Sequence, residues 1–302
     1  MKHLLKMADL SQQEILKILN LADQMKYDLK HGIENTPLKG KSLAMIFSKS
    51  STRTRVSFEV GIGQLGGKAL FLNQNDIQLG RGETIEDTAK VLSRYVDGIM
   101  IRTFRQSDVE ELAKHAEIPV INGLTDYAHP CQILADLMTV REYHSRLEGE
   151  TVAWVGDGNN VCNSLIIGAL KCGMKVQAAT PNGYEPCADV TASAGDGLLL
   201  TNDPREAVNG ADAVFTDVWT SMGQEDENAA RMKAFAGFQL NAELMKLAAP
   251  NAVVQHCLPA HRGEEITADV FAAHANAIYD EAENRLHAQK AVMAILMGGG
   301  ES

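Results

Sequence analysis

The stretch SLAMIFSKSSTRTRVSFEV, residues 42–60, joins a short apolar run to a polar segment rich in hydroxyl groups and arginine. The run Leu43–Phe47 is typical of a buried β-strand. The apolar residues from Val56 onward fit a partly buried helix, although imperfectly, so Ser51 and its neighbours Ser50 and Thr52 lie where helix N-cap residues are expected. The stretch therefore predicts a strand that turns directly into a helix, which is the repeating element of α/β folds.

The turn between this strand and helix is also a candidate anion site. A helix start offers unpaired backbone N–H groups and the positive end of the helix dipole. Arg53 adds a guanidinium group whose geometry matches phosphate oxygens. The alternative is an ordinary helix cap with a surface ion pair between Arg55 and Glu59. The stretch alone leaves both interpretations open.

The remaining sequence repeats the alternation of short apolar runs and helical segments. Strands are predicted near 42–47, 69–72, 98–101, 119–121, 151–155, 175–179, 213–216 and 252–256. Helices are predicted near 54–65, 84–95, 108–116, 130–147, 160–172, 203–209, 229–237, 241–248 and 281–297. This order is typical of an α/β protein with mainly parallel sheets and helices on both faces.

We therefore predict two doubly wound parallel-sheet domains with a cleft between them, joined by a long helix and a returning C-terminal helix. The first domain is expected to comprise residues 1–133, with the helix 286–302 packing back on it. The second is expected to comprise residues 134–285. The region 186–200 is interpreted as variable surface.

Length and composition bound the class of protein. The chain has 302 residues, a formal net charge of −11 and a pI near 5.3, which argues against nucleic acid as a partner. Small anionic substrates remain possible, because a few local arginines can reverse the sign of the potential. The five cysteines have no CxxC spacing and suggest reduced thiols. No segment approaches the ~18 consecutive apolar residues of a membrane span, so we expect a cytoplasmic location.

The chemically distinctive residues follow the predicted strands. Ligands of parallel α/β sheets bind at the carboxyl ends of the strands, so the strand exits are the places where a site is expected. The exits read SKSSTRTR (48–55), IRTF (101–104), YAHPCQ (127–132), GDGNN (156–160), TDVWTSMG (216–223) and HCLPAHRG (256–263). The clustering of these residues predicts a single functional region better than any one motif does.

The segment GDGNNV, 156–161, invites comparison with a dinucleotide-binding turn. Val161 replaces the third glycine, and the next predicted strand ends in Thr180-Pro181 instead of an acidic residue. Both departures disfavour a nicotinamide cofactor. Asn160 is then either a helix cap or a contact for a polar ligand.

Three further residues have a structural and a functional interpretation. His129, before a helix that starts with proline, is a cap or core residue, or a hydrogen-bond donor to a carbonyl together with Gln132. Cys257 is a packing residue or a site thiol, but His256 should point the opposite way on an extended chain, which disfavours a thiol nucleophile. Asp217 belongs to a turn or supplies a carboxylate for an ammonium group.

Four motifs together resemble the ornithine carbamoyltransferase family. They are SKSSTRTRVSFE (48–59), HPCQ (129–132), DVWTSMG (217–223) and HCLP (256–259), and the resemblance extends along essentially the whole chain to Glu283-Asn284-Arg285. Aspartate carbamoyltransferases are similar in STRTR and in HPxQ, but have HPTQ and PLP and lack the DxWxSMG segment. The assignment of the amine acceptor therefore depends mainly on DVWTSMG.

The resemblance implies a reaction in which carbamoyl phosphate and ornithine give citrulline and phosphate. It implies a catalytic set of Arg102, His129, Gln132, Asp217 and Cys257. It implies carbamoyl phosphate contacts from Ser51, Thr52, Arg53, Thr54, Gln78, Arg102, His129, Pro130, Cys131, Gln132, Cys257, Leu258 and Arg285. Ornithine would be held by Asn160, Asp217, Ser221 and Met222.

The resemblance also implies how the protein assembles and where it works. Gln78, in the segment Asp76–Leu79, would reach the site of a neighbouring subunit, which requires a homotrimer or a multiple of trimers. No metal and no organic cofactor is expected, and arginine biosynthesis is the expected context. Two alternatives remain, namely carbamoyl transfer to another amine such as putrescine or an acylated ornithine, and a non-catalytic amino-acid-binding module on the same fold.

Overall fold

A computed structural model describes residues 1–78, 82–221 and 225–299. The chain forms two compact units, Met1–Met138 together with Asn284–Ser302, and Thr139–Glu283. Each unit is built on its own sheet, and every strand pairing within the described residues is parallel. The predicted fold class, two parallel-sheet α/β domains, is confirmed.

The first unit contains a four-stranded sheet with the strand order β2-β1-β3-β4. Its strands are β1 (Ser42–Phe47), β2 (Lys68–Asn73), β3 (Gly98–Arg102) and β4 (Val120–Leu124). Its helices are α1 (Gln12–Lys30), α2 (Thr52–Gln64), α3 (Ile85–Leu92) and α4 (Gln106–His115). The apolar run that follows Ser42 in β1 is buried because β1 lies between β2 and β3, whereas the edge strand β2 is only partly covered.

The second unit contains a five-stranded sheet with the order β7-β6-β5-β8-β9. Its strands are β5 (Thr151–Val155), β6 (Lys175–Ala179), β7 (Leu198–Thr201), β8 (Ala213–Thr216) and β9 (Val253–His256). Its helices are α6 (Asn160–Lys171), α7 (Ala188–Ala194), α8 (Pro204–Val208), α9 (Asn228–Ala234), α10 (Ala242–Met245) and α11 (Ala268–Ala273).

Two longer helices connect the units along the chain, α5 (Pro130–His144) and α12 (Ala275–Met297). The domain boundaries predicted at 133/134 and 285/286 fall within these helices. The C-terminal part of α12 packs on the first unit, where a Cβ at Gly61 would lie 3.1 Å from Cε of Met293. Because Gly61 and Gly98 lack a Cβ, α12 can approach α2 and β3 closely.

The structure differs from the sequence-based prediction at several elements, and α1 and α11 are absent from the predicted helices. Helix α5 ends at His144, before Ser145 adopts a left-handed φ of 64°. Helix α12 begins at Ala275, earlier than the predicted 281. The region 186–200, interpreted as variable surface, contains α7 and most of the edge strand β7, neither of which was predicted, and most of its residues are exposed or half-buried. A short edge strand carries too few buried residues for a clear alternating pattern.

Within the described residues, every helix is either too short or too polar for a membrane span.

Candidate active site

The loop between β1 and α2, here called the phosphate loop (Ser51–Thr54), has the predicted cap geometry. Ser51 is the N-cap of α2, and its side chain accepts a hydrogen bond from the backbone N–H of Thr54 at 3.2 Å. The capping prediction is confirmed. The remaining first-turn N–H groups of α2 form the kind of site that anions prefer.

Two arginines from distant parts of the chain converge on Thr54. Arg102, at the exit of β3, donates from Nη1 to Thr54 Oγ1 at 3.5 Å. Arg285, on α12, donates from Nη2 to the same oxygen at 2.9 Å. All three residues are buried. The fold therefore places two guanidinium groups beside the phosphate loop in a chain whose net charge is negative.

His129, immediately before α5, is buried beside these cations. Burial lowers the pKa of His129 well below its ordinary value of 6.5, and the positive charges of Arg285, Arg102 and Arg53 lower it further. A neutral imidazole can donate one hydrogen bond without adding another positive charge to the site. The first unit thus combines the cations that an anion needs with a neutral donor.

This environment predicts that His129 does not titrate near neutral pH. In the ligand-free protein we expect its imidazole to stay neutral as the pH falls through about 6.5, the ordinary histidine value. The measurement is a pH titration of ¹⁵N-labelled histidine by NMR, assigned with a His129→Gln variant. Protonation of His129 at about pH 6.5 would contradict the prediction.

Gln132 and Cys131, two further residues with predicted roles in this unit, hydrogen bond to protein groups. Gln132 donates from Nε2 to Asp136 Oδ1 at 2.8 Å, and the Cys131 thiol donates to the Asn122 carbonyl at 3.4 Å. Burial raises the pKa of Cys131 to about 12, so this thiol stays neutral. The substrate contacts expected of Pro130, Cys131 and Gln132 remain predictions.

Lys49 is a residue of this unit that the sequence analysis missed. It is 9% exposed, forms an ion pair with Asp126, and places Nζ 4.3 Å from the centroid of the Phe104 ring. These contacts connect the segment before the phosphate loop to the residues that follow β3 and β4. The sequence signal for Lys49 was its position two residues after the end of the apolar run Leu43–Phe47.

The phosphate loop also borders a cavity of about 610 Å³ in the first unit. The cavity is lined by Phe47, Ser48, Lys49, Ser50, Ser51, Thr52, Arg55, Val56, Phe71, Asn73, Gln74 and Asn75. Arg55 stacks over Phe71 at 3.7 Å and pairs with Glu59 at 3.4 Å. The surface pair considered in the sequence analysis therefore exists beside the candidate anion site, and the two interpretations are compatible.

In the second unit, the GDGNN loop after β5 packs against protein backbone. A Cβ at Gly158 would lie 2.3 Å from the main-chain carbon of Glu185 and 2.3 Å from the nitrogen of Pro186. The N–H of Gly158 also donates to the Tyr184 carbonyl at 2.8 Å. This glycine is required by the close approach of the 184–186 segment, which is a different reason from the pyrophosphate contact of a dinucleotide turn.

The cap of α6 is Asn159, so the interpretation of Asn160 as the cap was wrong. Asn159 Oδ1 accepts hydrogen bonds from the N–H groups of Val161 at 3.0 Å and Cys162 at 3.1 Å. Its Nδ2 donates to Asp217 Oδ2 at 2.8 Å. Two adjacent asparagines before an apolar helix were the available signal, and sequence alone could not tell which of them caps it.

Asp217 begins the segment after β8, here called the acceptor loop (Asp217–Ser221). The Asp217 carboxylate accepts a hydrogen bond from the Cys257 thiol at 3.1 Å, in addition to the one from Asn159. The fold therefore brings together three strand exits, those of β5, β8 and β9. Ser221 is half-buried, and Met222 lies outside the described residues.

Both ring nitrogens of His256 hydrogen bond to groups other than the Cys257 thiol, although one of them lies within 4.8 Å of the Cys257 sulfur. His256 Nδ1 accepts a hydrogen bond from the N–H of Leu258 at 2.9 Å, so Nε2 carries the proton and donates to Glu265 at 3.0 Å. Asp217, His256 and Cys257 are close enough for their ligand atoms to share a metal ion. The hydrogen bonds within the protein account for both ring nitrogens, so we interpret this group as a hydrogen-bond network.

The geometry defines a class of protein with two parallel α/β units, one of which carries an arginine-rich anion site and the other a carboxylate-centred polar site. Residues 2–142 match the family model described as aspartate/ornithine carbamoyltransferase, carbamoyl-P binding domain. Residues 148–296 match the model described as aspartate/ornithine carbamoyltransferase, Asp/Orn binding domain. The chain belongs to the aspartate/ornithine carbamoyltransferase family.

Individual relatives are similar over nearly the whole chain. The ornithine carbamoyltransferase of Carboxydothermus hydrogenoformans is 60% identical over 301 residues, covering 97% of both chains. That of Archaeoglobus fulgidus is 53% identical and covers 99% of this chain and 98% of its own. The solved structure of the ornithine carbamoyltransferase from Pyrococcus furiosus matches with a TM-score of 0.94 at 53% identity, covering 99% of this chain and 98% of its own.

Proposed function

We propose that this protein transfers the carbamoyl group of carbamoyl phosphate to the side-chain amine of L-ornithine, giving L-citrulline and phosphate. The observation that carries the proposal is the convergence of Arg102, Arg285 and the neutral His129 on the phosphate loop. The family membership and the names of the full-length relatives support the same reaction.

The first unit binds the donor in this proposal. The N–H groups and hydroxyls of the phosphate loop, with Arg53, hold the phosphate dianion, since charged donors form the stronger hydrogen bonds to phosphate. Arg102, His129 and Gln132 donate to the carbonyl oxygen, where negative charge develops as the tetrahedral intermediate forms. Phosphate then leaves with the electron pair of the C–O bond and accepts the proton released by the amine.

The second unit binds the acceptor. Asp217, Asn160 and Ser221 hold the α-amino and α-carboxylate groups of ornithine, and Met222 is proposed to join them. Cys257 and Leu258 flank the reacting amine. The Cys257 thiol donates to the Asp217 carboxylate, which is a much weaker base than a thiolate and would not deprotonate the thiol, so we assign Cys257 an orienting role and no covalent intermediate.

One assay tests the reaction and separates its alternatives. The purified protein is incubated with carbamoyl phosphate and each of ornithine, putrescine, an N-acylated ornithine and aspartate, and the ureido product is quantified. We expect turnover with ornithine to exceed all others. A preference for putrescine or the acylated amine would change the acceptor, and ligand binding without any turnover would favour a non-catalytic binding module.

The reaction has a predictable pH dependence, because the attacking amine must be neutral. A lysine-like amine has a pKa of about 10.4, so its neutral form is unfavourable by roughly 4.6 kcal/mol at about pH 7. We expect kcat/KM for ornithine to rise about tenfold per pH unit from about pH 7 toward pH 9. Carbamoyl phosphate binding, measured over the same range, is the control and should change little. A flat profile for ornithine would contradict attack by a deprotonated amine.

We further propose a homotrimer, or a multiple of trimers, with sites shared between subunits. Gln78 is exposed and would contact carbamoyl phosphate bound to a neighbouring subunit. The edge strand β2 and the neighbouring helices α2 and α3 also expose apolar side chains, including Leu70 at 47% and, just after α3, Tyr95 at 76%. Exposed apolar residues near a sheet edge are typical of surfaces that a partner covers.

Complementation between inactive variants tests the shared site. Arg53→Ala damages the phosphate loop of its own subunit but leaves Gln78 available to a neighbour. Gln78→Ala keeps the phosphate loop intact but removes the side chain that would reach the neighbour. Co-refolding the two inactive variants should restore activity at the interfaces that retain both residues. Mixing without subunit exchange is the control and should restore none. Hybrids verified by native mass spectrometry that stay inactive would argue against sharing.

We propose that the protein acts in the cytoplasm in arginine biosynthesis. None of the five cysteines, all of which lie within the described residues, forms a disulfide, which fits a reducing compartment. Citrulline is ornithine with a carbamoylated side-chain nitrogen, and conversion of that ureido group to a guanidino group would give arginine. A strain that lacks the corresponding gene should grow when arginine or citrulline is supplied. Supplying ornithine instead should not restore its growth.

A further inference from the structure

Arg231, on α9, is a buried cation to which the sequence analysis assigned no role. It is 5% exposed, and its Nη1 donates to Asp157 Oδ2 at 2.9 Å and to the main-chain oxygen of Trp219 at 2.9 Å. Its Nε donates to Glu227 at 3.1 Å. One side chain therefore connects the loop after β5, the acceptor loop and the start of α9.

Both of the loops that Arg231 contacts carry residues assigned to ornithine. Asp157 precedes Asn159, which hydrogen bonds to Asp217, and Trp219 lies in the middle of the acceptor loop. Thr220 adds a second link to α9, donating to Asn228 Oδ1 at 3.0 Å. The ring of Trp219 also stacks on Phe235 with a centroid distance of 5.9 Å. Helix α9 and its flanking residues thus hold the acceptor loop in place through contacts with Trp219 and Thr220.

The geometry requires arginine specifically. The planar guanidinium satisfies a carboxylate and a carbonyl from different loops at once, and it lies 4.9 Å from the centroid of the Tyr184 ring. A lysine ammonium has a single nitrogen, so it cannot reproduce both the Nη1 contacts with Asp157 and Trp219 and the Nε contact with Glu227. Because Arg231 is buried and its donors are directed at protein groups, its effect on a substrate acts through the loops.

We propose that Arg231 and Asp157 form a positioning pair that holds the acceptor loop in the geometry that binds the α-amino and α-carboxylate groups of ornithine. This inference rests on the proposed function. The pair is a positioning element for acceptor affinity, and neither residue touches the reacting atoms.

The charge state of Asp157 links this pair to pH. Burial raises the pKa of Asp157 to about 6, Arg231 opposes that rise, and the negative charges of Asp217 and Glu227 add to it. Cys162, on α6, is the other titratable group close to Asp157, and its own pKa is raised, so it stays neutral. As the pH falls through about 6, Asp157 gains a proton and loses its charge–charge attraction to Arg231. Acceptor affinity should therefore weaken below this pH.

The test uses full-length protein saturated with carbamoyl phosphate, and L-norvaline as the probe. Norvaline has the α-amino and α-carboxylate groups of ornithine but no side-chain amine, so its binding does not depend on deprotonation of the nucleophile. The variants are Arg231→Lys, Arg231→Gln and Asp157→Asn, and Lys233→Gln is the matched control because Lys233 is exposed on the same helix. Binding is measured by calorimetry and KM by steady-state kinetics.

We expect Arg231→Gln to raise the norvaline Kd and the ornithine KM by about tenfold or more, since small misplacements of binding groups have effects of this size. Arg231→Lys should recover part of the loss, and the KM for carbamoyl phosphate should change by less than about twofold in both. The wild-type Kd should rise below about pH 6, whereas Asp157→Asn should lack this step. Lys233→Gln should match the wild type.

Three outcomes would overturn the inference. The first is an unchanged norvaline Kd in folded Arg231→Lys and Arg231→Gln. The second is an equal loss for carbamoyl phosphate and ornithine, which would indicate a general structural role. The third is a low-pH step that persists in Asp157→Asn. If Arg231→Gln fails to fold, Arg231→Lys and Asp157→Asn decide the matter. Wild-type protein that carbamoylates no amine would refute the proposed function itself, and this inference with it.

Discussion

Replacing Arg53 by alanine is expected to lower kcat/KM for carbamoyl phosphate by about a thousandfold or more. In the proposed mechanism its guanidinium is the cation of the phosphate loop, and it stabilises the charge that accumulates on the leaving phosphate. Removal of a single transition-state donor typically costs 10²- to 10³-fold in rate, or roughly 2.7–4 kcal/mol, and a charged donor contributes at least as much. The measurement is steady-state kinetics at saturating ornithine with carbamoyl phosphate varied.

Arg55 provides a matched control two residues along the same helix. Its guanidinium is already engaged by the Phe71 ring and Glu59, and its side chain is 47% exposed. Arg55→Ala removes the same charge from the same helical turn, and we expect a small effect on turnover because exposed ion pairs contribute at most about 1 kcal/mol. Equal losses in the two variants would show that net charge near the loop matters more than the position of Arg53.

Of the variants proposed, Arg231→Gln is expected to lower the free energy of unfolding most, by about 3–5 kcal/mol near neutral pH. The substitution leaves the buried carboxylate of Asp157 without its cation, and breaking a buried pair from one side has this cost. Trp154 and Trp219 are buried and are the only two tryptophans of the chain, and both belong to the second unit. Tryptophan fluorescence during denaturant unfolding therefore reports this unit selectively.

The pH dependence of that loss follows from the raised pKa of Asp157. In the unfolded chain this carboxyl titrates near its ordinary value of about 3.9. In the folded wild type its pKa is about 6, and removal of Arg231 raises it further. Between these values the folded state binds more protons than the unfolded state, so stability falls as pH rises. The deficit of Arg231→Gln should thus be smallest near pH 4 and grow above about pH 6.

The double variant Arg231→Gln with Asp157→Asn distinguishes a lost charge pair from lost packing. A neutral asparagine at 157 needs no cation, so the double variant should recover much of the stability that Arg231→Gln loses. If the two single losses simply add, the two side chains are not coupled and the charge argument is wrong.

Much of the fold was predictable because its signals are local. Leu43–Phe47 followed by hydroxyls and an apolar helix predicted β1 and α2, and the structure places the cap at Ser51. The strand exits were predicted to form one functional region because parallel strands end at the same edge of a sheet, and the exits of β8 and β9 do meet where Cys257 donates to Asp217. The edge strand β7 was missed because an edge position leaves few of its side chains buried.

The sequence by itself determined the fold class, the phosphate loop and the strand exits that carry polar residues. Each of these follows from the period of apolar side chains and from helix-cap chemistry, which act over a few residues. Only the tertiary structure decided that Thr54 accepts hydrogen bonds from Arg102 and from Arg285, 231 positions away. It alone decided that Asn159 is the cap, that Gly158 accommodates backbone, and that Arg231 connects two loops. Such pairings depend on which elements pack against one another, and periodicity encodes the burial of a side chain without specifying the partner it meets.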